Sequence, residues 1–169
     1  MRSKEPNFSD RKLALLKDNE QRFERAISAD FGHRCTIETT IAETLGLLGD
    51  IKHTAKHLKR WMAPRKVATQ LQFLPGKNRL IPQPLGVVGV IAPWNYPLQL
   101  TLAPAIGALA AGNRVMIKPS ELSPNFAALL QETVAAKFGA DEMIVTGIED
   151  GIAEAFAALP FDHLMFTGS

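Results

Sequence analysis

Three short segments of the 169-residue chain carry side chains whose type and spacing suit chemistry on a ligand. The first is Ala92-Pro93-Trp94-Asn95-Tyr96-Pro97. Its prolines restrict the backbone on both sides of Trp94 and Asn95. A carboxamide N–H₂ held in one place is a suitable donor to an oxygen that becomes negative during a reaction. An asparagine there would equally suit a helix cap, with Trp94 filling core. The second is Lys118-Pro119-Ser120-Glu121. A cation and a carboxylate three residues apart on a proline-stiffened turn can both reach one polar ligand. Ribose hydroxyls fit them, because the cation donates and the carboxylate accepts O–H bonds. The alternative is an ion pair on a solvated loop. The third is Phe166-Thr167-Gly168-Ser169. Gly168 permits close backbone approach, and Ser169 would open a helix whose N-terminus attracts phosphate. Serine and glycine also follow strands without any ligand. Neither G-x-G-x-x-G nor G-x-x-x-x-G-K-[ST] occurs in the chain, so neither standard phosphate loop is available.

Other reactive side chains read as structural. Cys35 stands alone, far in sequence from these segments, and is expected to be a small, partly buried side chain. His53 and His57 have the i, i+4 spacing of a chelating pair. Lys52, Lys56 and Lys59 would repel a cation there, so no metal is expected. The basic run from Lys52 to Lys66 contains only Trp61 as an aromatic and flanks an apolar stripe, as on a solvated helix face rather than a nucleic-acid surface.

The elements that must position these groups follow from periodicity. Leu13, Leu16, Phe23 and Ile27 predict one helix, capped by Ser9 or Asp10 and ended at Phe31-Gly32. Ile41, Leu45, Leu48, Ile51, Ala55, Leu58 and Met62 predict the buried face of a second helix, stopped by Pro64. Val67, Thr69, Leu71 and Phe73 alternate with polar or small residues, Pro75-Gly76-Lys77-Asn78 is a turn signal, and Arg79-Leu80-Ile81 reads as a return strand. Pro82 and Pro84 keep that pair out of any sheet centre. It is expected to be an exposed ribbon packing on something else, such as a partner subunit.

From Gly86 onward, apolar runs alternate with helical segments. Strands are expected at Val87 to Ala92, Arg114 to Lys118, Met143 to Val145 and His163 to Phe166. Helices are expected at Leu98 to Ala111, from a Ser123 cap through Phe138, and at Ile152 to Leu159. This order predicts an α/β fold with a parallel sheet and right-handed crossovers. Ligands in such sheets bind beyond the C-terminal strand ends, where all three segments fall.

Composition bounds the rest. A hydrophobic share of 46% suits a globular core and is too high for a disordered chain. A formal net charge of +2 supplies no strong field to recruit nucleic acid or membrane. A single cysteine excludes an internal disulfide and fits a reducing compartment. No signal-peptide core is present, and the longest apolar stretches fall short of the ~20 residues that span a bilayer. A soluble, cytoplasmic protein is therefore expected. The chain stops at Ser169 without a polar tail, as a truncation inside a structural unit would.

Taken together, Pro93-Trp94-Asn95-Tyr96-Pro97, Lys118-Pro119-Ser120-Glu121 and Phe166-Thr167-Gly168-Ser169 resemble, in order and type, the signatures of the aldehyde dehydrogenase superfamily. Pro84-Leu85-Gly86-Val87-Val88-Gly89 and Ala110-Ala111-Gly112-Asn113 are similar to it too. Ala29-Asp30-Phe31-Gly32-His33 and Lys56-His57-Leu58-Lys59-Arg60-Trp61-Met62 resemble the class 3 or coniferyl aldehyde dehydrogenase branch.

The resemblance implies an incomplete aldehyde dehydrogenase fold. Residues 1–65 would be N-terminal helices packing on the cofactor domain. Residues 66–85 would be the ribbon of an oligomerisation element, and 86–169 a truncated Rossmann-like NAD(P)-binding domain. It implies that Asn95 stabilises the oxyanion of a cysteine thiohemiacetal. Ile91, Trp94, Lys118, Glu121 and Ser169 would line the dinucleotide site, with Lys118 and Glu121 at the adenosine ribose and Ser169 near the pyrophosphate. Ser120, Phe166 and Gly168 come with those motifs. Gly147 and Gly151 would lie near the adenosine half, although the Ile148-Glu149-Asp150 between them departs from the family's commonest version.

The implied activity of the full-length enzyme is oxidation of an aldehyde, of aromatic coniferyl type, to a carboxylic acid with NAD or NADP, in a homodimer or homotetramer. The family's nucleophilic cysteine and general-base glutamate would lie beyond Ser169, so the fragment itself is expected to be inactive. The alternatives are a non-catalytic nucleotide-binding fragment and an acyl-phosphate reductase of related fold.

Overall fold

The computed structural model describes residues 8–168. Asn19 divides what the apolar spacing presents as one N-terminal helix into α1 (Phe8–Lys17) and α2 (Glu20–Asp30). The Asn19 side chain donates to the Leu15 carbonyl at 2.9 Å, and the Asn19 carbonyl accepts from the N–H groups of Arg22 and Phe23. Local bonding of this kind competes with helix continuation. The apolar face survives the break, with Leu16, Phe23 and Ile27 buried. Ser9 and Asp10, expected as caps, lie inside α1. Gly32 closes α2 at φ +74°, the left-handed conformation its sequence position suggests.

Helical backbone resumes as α3 (Thr36–Thr39), widens into a π-helical turn (Thr40–Leu45), and continues as α4 (Gly46–Trp61). The wide turn changes which face points inward. Thr39, Glu43, Thr44, Leu47 and Ile51 are buried, whereas Ile41, Leu45, Ala55 and Met62 are exposed. The expected apolar face is therefore right only around Ile51 and the half-buried Leu48 and Leu58.

The ribbon is shorter than the alternation suggests. β1 (Arg65–Val67) pairs antiparallel with β2 (Asn78–Leu80), Lys66 opposite Arg79. The intervening residues loop through a 3₁₀ turn at Leu71–Phe73 and a cis Leu74–Pro75 bond. Proline and the local turn take the backbone out of the ladder there. Leu71, Phe73, Leu74, Leu80 and Ile81 are all exposed.

Beyond the ribbon the expected alternation holds. β3 (Val87–Ile91), α5 (Pro97–Ala110), β4 (Arg114–Lys118), α6 (Pro124–Lys137), β5 (Met143–Val145), α7 (Ile152–Ala157) and β6 (His163–Phe166) follow in turn. The four strands form one parallel sheet in the order β5-β4-β3-β6. Succession runs outward from β3 through β4 to β5, and β6 then adds on the other side of β3. That reversal is a topological switch point, with its crevice beyond the C-terminal ends of β3 and β6. β6 is an edge strand exposed along its whole length.

One core unites the helices and the sheet. Leu16, Phe23, Ile27, Leu47 and Ile51 share it with Val90, Leu102, Ile117, Phe126 and Leu130. Phe23 of α2 meets Phe126 of α6 with ring centroids 5.9 Å apart. Among the described residues, no helix is long and apolar enough to cross a membrane.

The end of the sheet where the strands begin is closed by its own side chains. Asn113 Oδ1 accepts from the N–H groups of Leu85 (2.6 Å) and Gly86 (3.0 Å), and its Nδ2 donates to the Ala108 carbonyl at 3.0 Å. Asp162 Oδ2 accepts from Val87 N–H at 2.7 Å. Arg11 of α1 forks onto Glu142, just before β5, through two bonds of 2.6 Å.

Candidate active site

The parallel register aligns the C-terminal strand ends. Ile91 stands opposite both Lys118 and Phe166. The ladder runs one residue further on each side, with Ala92 N–H donating to the Lys118 carbonyl and Thr167 N–H to the Ile91 carbonyl. Ile91, Lys118 and Phe166 therefore meet at one edge, as expected. Phe166 and Gly168 are exposed, Gly168 at φ +151°. Ser169 lies outside the described residues. Gly147 and Gly151 follow β5, at the same end of the sheet but on its opposite edge. β4 and β3 separate them from Phe166. Gly151 opens α7 in the left-handed region at φ +82°.

The turn after β4 presents one charge and hides another. Lys118 is 5% exposed, and its Nζ donates to Glu121 Oε2 at 2.5 Å. The Glu121 side chain is 60% exposed. The hydrogen bond from Lys118 holds its carboxyl below the ordinary value, against a smaller opposing effect of burial. Ser120 is buried, and its Oγ accepts from Leu122 N–H at 3.2 Å. Ser123, expected to cap α6, makes no side-chain cap bond; its hydroxyl donates to the Ser120 carbonyl at 3.3 Å. Both serines are spent on the shape of the turn.

Trp94 and Asn95 face a different neighbourhood. With Phe31, His33, Arg34, Cys35, Glu38 and Tyr96 they line an open recess of about 360 Å³. Lys118, Glu121 and Phe166 do not line it. Trp94 packs against Phe31 with centroids 5.9 Å apart. Asn95 Oδ1 accepts from Tyr96 N–H at 3.1 Å. Its Nδ2 makes no hydrogen bond among the described residues and is left to donate outward. Cys35 is exposed in this recess, not partly buried as its small size suggested.

Sequence reasoning missed what caps the two helices behind the site. Asn95 does not cap α5. The N–H groups of Leu98 and Gln99 donate to Glu43 Oε2 at 2.7 and 3.2 Å. The N–H groups of Asn125 and Phe126, at the start of α6, donate to the carboxylate of Asp30, each at 2.9 Å. Both acids come from the N-terminal helical segment. They also suit the positive end of each helix dipole, so neither N-terminus is left open to a ligand phosphate.

Glu43 is fully buried. Burial pushes its carboxyl above the ordinary value, opposed by the Gln99 and Leu98 N–H groups and by Arg34. Arg34 Nη1 lies 3.0 Å from Glu43 Oε1 and donates to the Asn95 carbonyl at 3.1 Å. Its guanidinium sits 4.9 Å from the Phe31 ring centroid and 4.8 Å from that of Tyr96. A signal for Glu43 did exist. Tyr96, at the cap position of α5, has no carboxamide, carboxylate or aliphatic hydroxyl to offer, so the first N–H groups needed an acceptor from elsewhere.

The Aldehyde dehydrogenase family profile matches residues 9–169. A probable coniferyl aldehyde dehydrogenase of Pseudomonas aeruginosa is 48% identical over 155 residues, covering 92% of this chain and 33% of the relative. Among solved structures, a substrate-bound state of Staphylococcus aureus AldH superposes with a TM-score of 0.89 at 35% identity, over 99% of this chain and 37% of that one. The indole-3-acetaldehyde dehydrogenase AldA of P. syringae, in complex with NAD+ and IAA, superposes with a TM-score of 0.75 at 26% identity, over 94% of this chain and 32% of that one. The chain thus spans about a third of the length of the relatives it matches.

Proposed function

The chain belongs to the aldehyde dehydrogenase family, and from that premise we propose that the protein carrying it oxidises an aromatic, coniferyl-type aldehyde to the carboxylic acid. A bound nicotinamide dinucleotide, NAD with NADP as an alternative, supplies the hydride acceptor. The observation that carries the reading is the meeting of Ile91, Lys118 and Phe166 at the switch point of the sheet, beside a turn that exposes Glu121 and keeps its partner cation buried.

The residues present fit a dinucleotide. Lys118 and Glu121 hold the adenosine ribose, the first as donor and the second as acceptor. Ser120 shapes the turn that presents them. Ile91 bounds the crevice, with Phe166 and Gly168 on its other side, and Trp94 stands in the neighbouring recess that follows β3. Gly147 and Gly151 keep backbone, not side chain, beside the adenosine half. The α5 and α6 N-termini already hold Glu43 and Asp30, so the pyrophosphate belongs with the Gly168-Ser169 segment. Asn95 donates its carboxamide N–H to the substrate oxygen as that oxygen gains charge, from a position fixed before the reaction begins.

In domain terms, residues 86–169 form the cofactor-binding unit and residues 1–65 brace it. The apolar side chains exposed on the ribbon, residues 66–85, support its assignment as a contact between subunits of a dimer or tetramer.

The test is aldehyde-dependent reduction of NAD and NADP by the full-length protein, comparing coniferyl aldehyde with short aliphatic aldehydes. The expected result is turnover with a lower KM for the aromatic substrate. Absence of turnover with every aldehyde and both cofactors would overturn the reading.

A further inference from the structure

We propose that the buried Arg34–Glu43 pair is the positioning device of the active-site turn, setting where the Asn95 carboxamide points. This rests on the oxyanion role assigned to Asn95 above. The pair grips the turn at two places. Arg34 Nη1 donates to the Asn95 carbonyl itself, at 3.1 Å. Glu43 Oε2 takes the N–H groups of Leu98 and Gln99, three and four residues later. The 3.0 Å contact between Nη1 and Oε1 joins the two grips. Pro93 and Pro97 narrow the backbone in between, and Asn95 Oδ1 is engaged by Tyr96 N–H. With the carbonyl, the carboxamide oxygen and the following helix all held, the free Nδ2 has one direction left.

Three further features mark the pair as more than a cap. The Arg34 side chain is 4% exposed and that of Glu43 is fully buried, and Arg34 Nε and Nη2 and Glu43 Oε1 make no hydrogen bond among the described residues, so the protein keeps two buried charges at a desolvation cost that their contacts offset only in part. The Arg34 guanidinium lies over both the Phe31 and the Tyr96 ring, 4.9 and 4.8 Å from their centroids. Glu43 reaches its place through the π-helical turn, an irregularity enriched at functional sites. A plain helix cap would need only a short polar side chain at position 96.

The experiment is a double-mutant cycle in the full-length enzyme: wild type, Glu43→Gln, Asn95→Ala and the double variant. Each is measured for kcat, NAD affinity and melting temperature. The carboxamide introduced by Glu43→Gln keeps an oxygen for the helix N–H groups but loses the charge that orients Arg34. We expect Glu43→Gln to lower kcat by about 10–100-fold, the scale of a misplaced catalytic group, with NAD affinity unchanged. In the Asn95→Ala background the same change should lower kcat by less than about twofold, because the residue being positioned is gone. Arg34→Lys, which keeps a cation but loses the fork and the stacking, should repeat this pattern.

An equal loss in both backgrounds would make the pair structural and overturn the proposal, as would an unchanged kcat in Glu43→Gln. Failure of both Glu43→Gln and Arg34→Lys to fold would assign the pair to the fold and overturn it too. If Asn95→Ala alone left kcat unchanged, the oxyanion reading itself would be what fails, and the positioning role would fall with it.

Discussion

The two ends of the parallel sheet are built from similar residues and finished in opposite ways. Where the strands begin, Asn113, Asp162 and Glu142 are satisfied within the protein, by Leu85, Gly86, Val87, Ala108 and Arg11. Where the strands end, Asn95 Nδ2 has no protein partner among the described residues, and Glu121, Phe166 and Gly168 are exposed. An asparagine and an acid at one end are structure; at the other, an asparagine Nδ2 without a protein partner among the described residues and an exposed acid paired only with Lys118 face outward. Residue type does not separate the two roles. What separates them is whether backbone N–H and C=O groups nearby need the side chain.

That contrast can be broken most forcefully at Asn95. Removing a preorganised oxyanion donor typically costs about 10²–10³ in rate, or about 3–4 kcal/mol. Asn95→Ala in the full-length enzyme is expected to lose kcat on that scale with little change in melting temperature, since the Asn95 side chain bonds only to the adjacent N–H and the helix behind it is capped by Glu43. A fall in melting temperature with near-normal kcat would remove Asn95 from the catalytic list.

Asn113→Ala should behave in the opposite sense. It strips an acceptor from two backbone N–H groups at a buried position. Leaving such groups unpaired costs about 1–3 kcal/mol each when fully buried; with Leu85 at the surface, a total of about 2 kcal/mol is expected. Denaturant titration should show that loss, while kcat measured below the melting transition stays near wild type. A large kcat loss without destabilisation would mean the two ends are not divided as described.

Much of this is legible in the sequence alone. From residue 86 onward, short apolar runs punctuated by glycine and proline gave every strand of the main sheet, because local pattern and tertiary burial agree there. The three segments whose residue types suit ligand chemistry fall at strand ends for the same reason. The N-terminal third was less legible. The break at Asn19 depends on one side chain choosing the Leu15 carbonyl. The π-helical turn puts Glu43 inside and Ile41 and Leu45 outside, against the apolar count, and the buried acid then takes the first N–H groups of α5. Glu43 and Asp30 serve helices 55 and 95 or more residues away, and no window of sequence contains both donor and acceptor.

A smaller effect sharpens the exposed end. Glu121→Gln removes a negative charge beside the proposed ribose site and releases Lys118 from its partner. Both changes favour a 2′-phosphate. An exposed charge acting over ~4 Å is worth about 1 kcal/mol, so the ratio of NAD to NADP KM values should shift toward NADP by about fivefold. An unchanged ratio would refute the ribose assignment.

The smallest expected effect is a pH dependence at the closed end. Arg11 bonds hold the Glu142 carboxyl below its ordinary value, the largest influence on it. The sign follows from linkage: a carboxyl whose folded pKa is depressed contributes stability above the unfolded value, about 4.5, and loses it as pH falls through the folded one. The side chains of Arg11 and Glu142 are 26% and 37% exposed, so solvent screening reduces the effect to a few tenths of a kcal/mol. Wild type and Glu142→Gln should therefore differ most in melting temperature near pH 6, and the gap should close as pH is lowered toward 3. Glu43 and Glu121 titrate in both proteins and cancel in the difference, although burial moves the first upward and Lys118 moves the second downward. A gap constant from pH 6 to 3 would show that the Arg11–Glu142 fork does not hold the closed end, leaving Asn113 and Asp162 to do so.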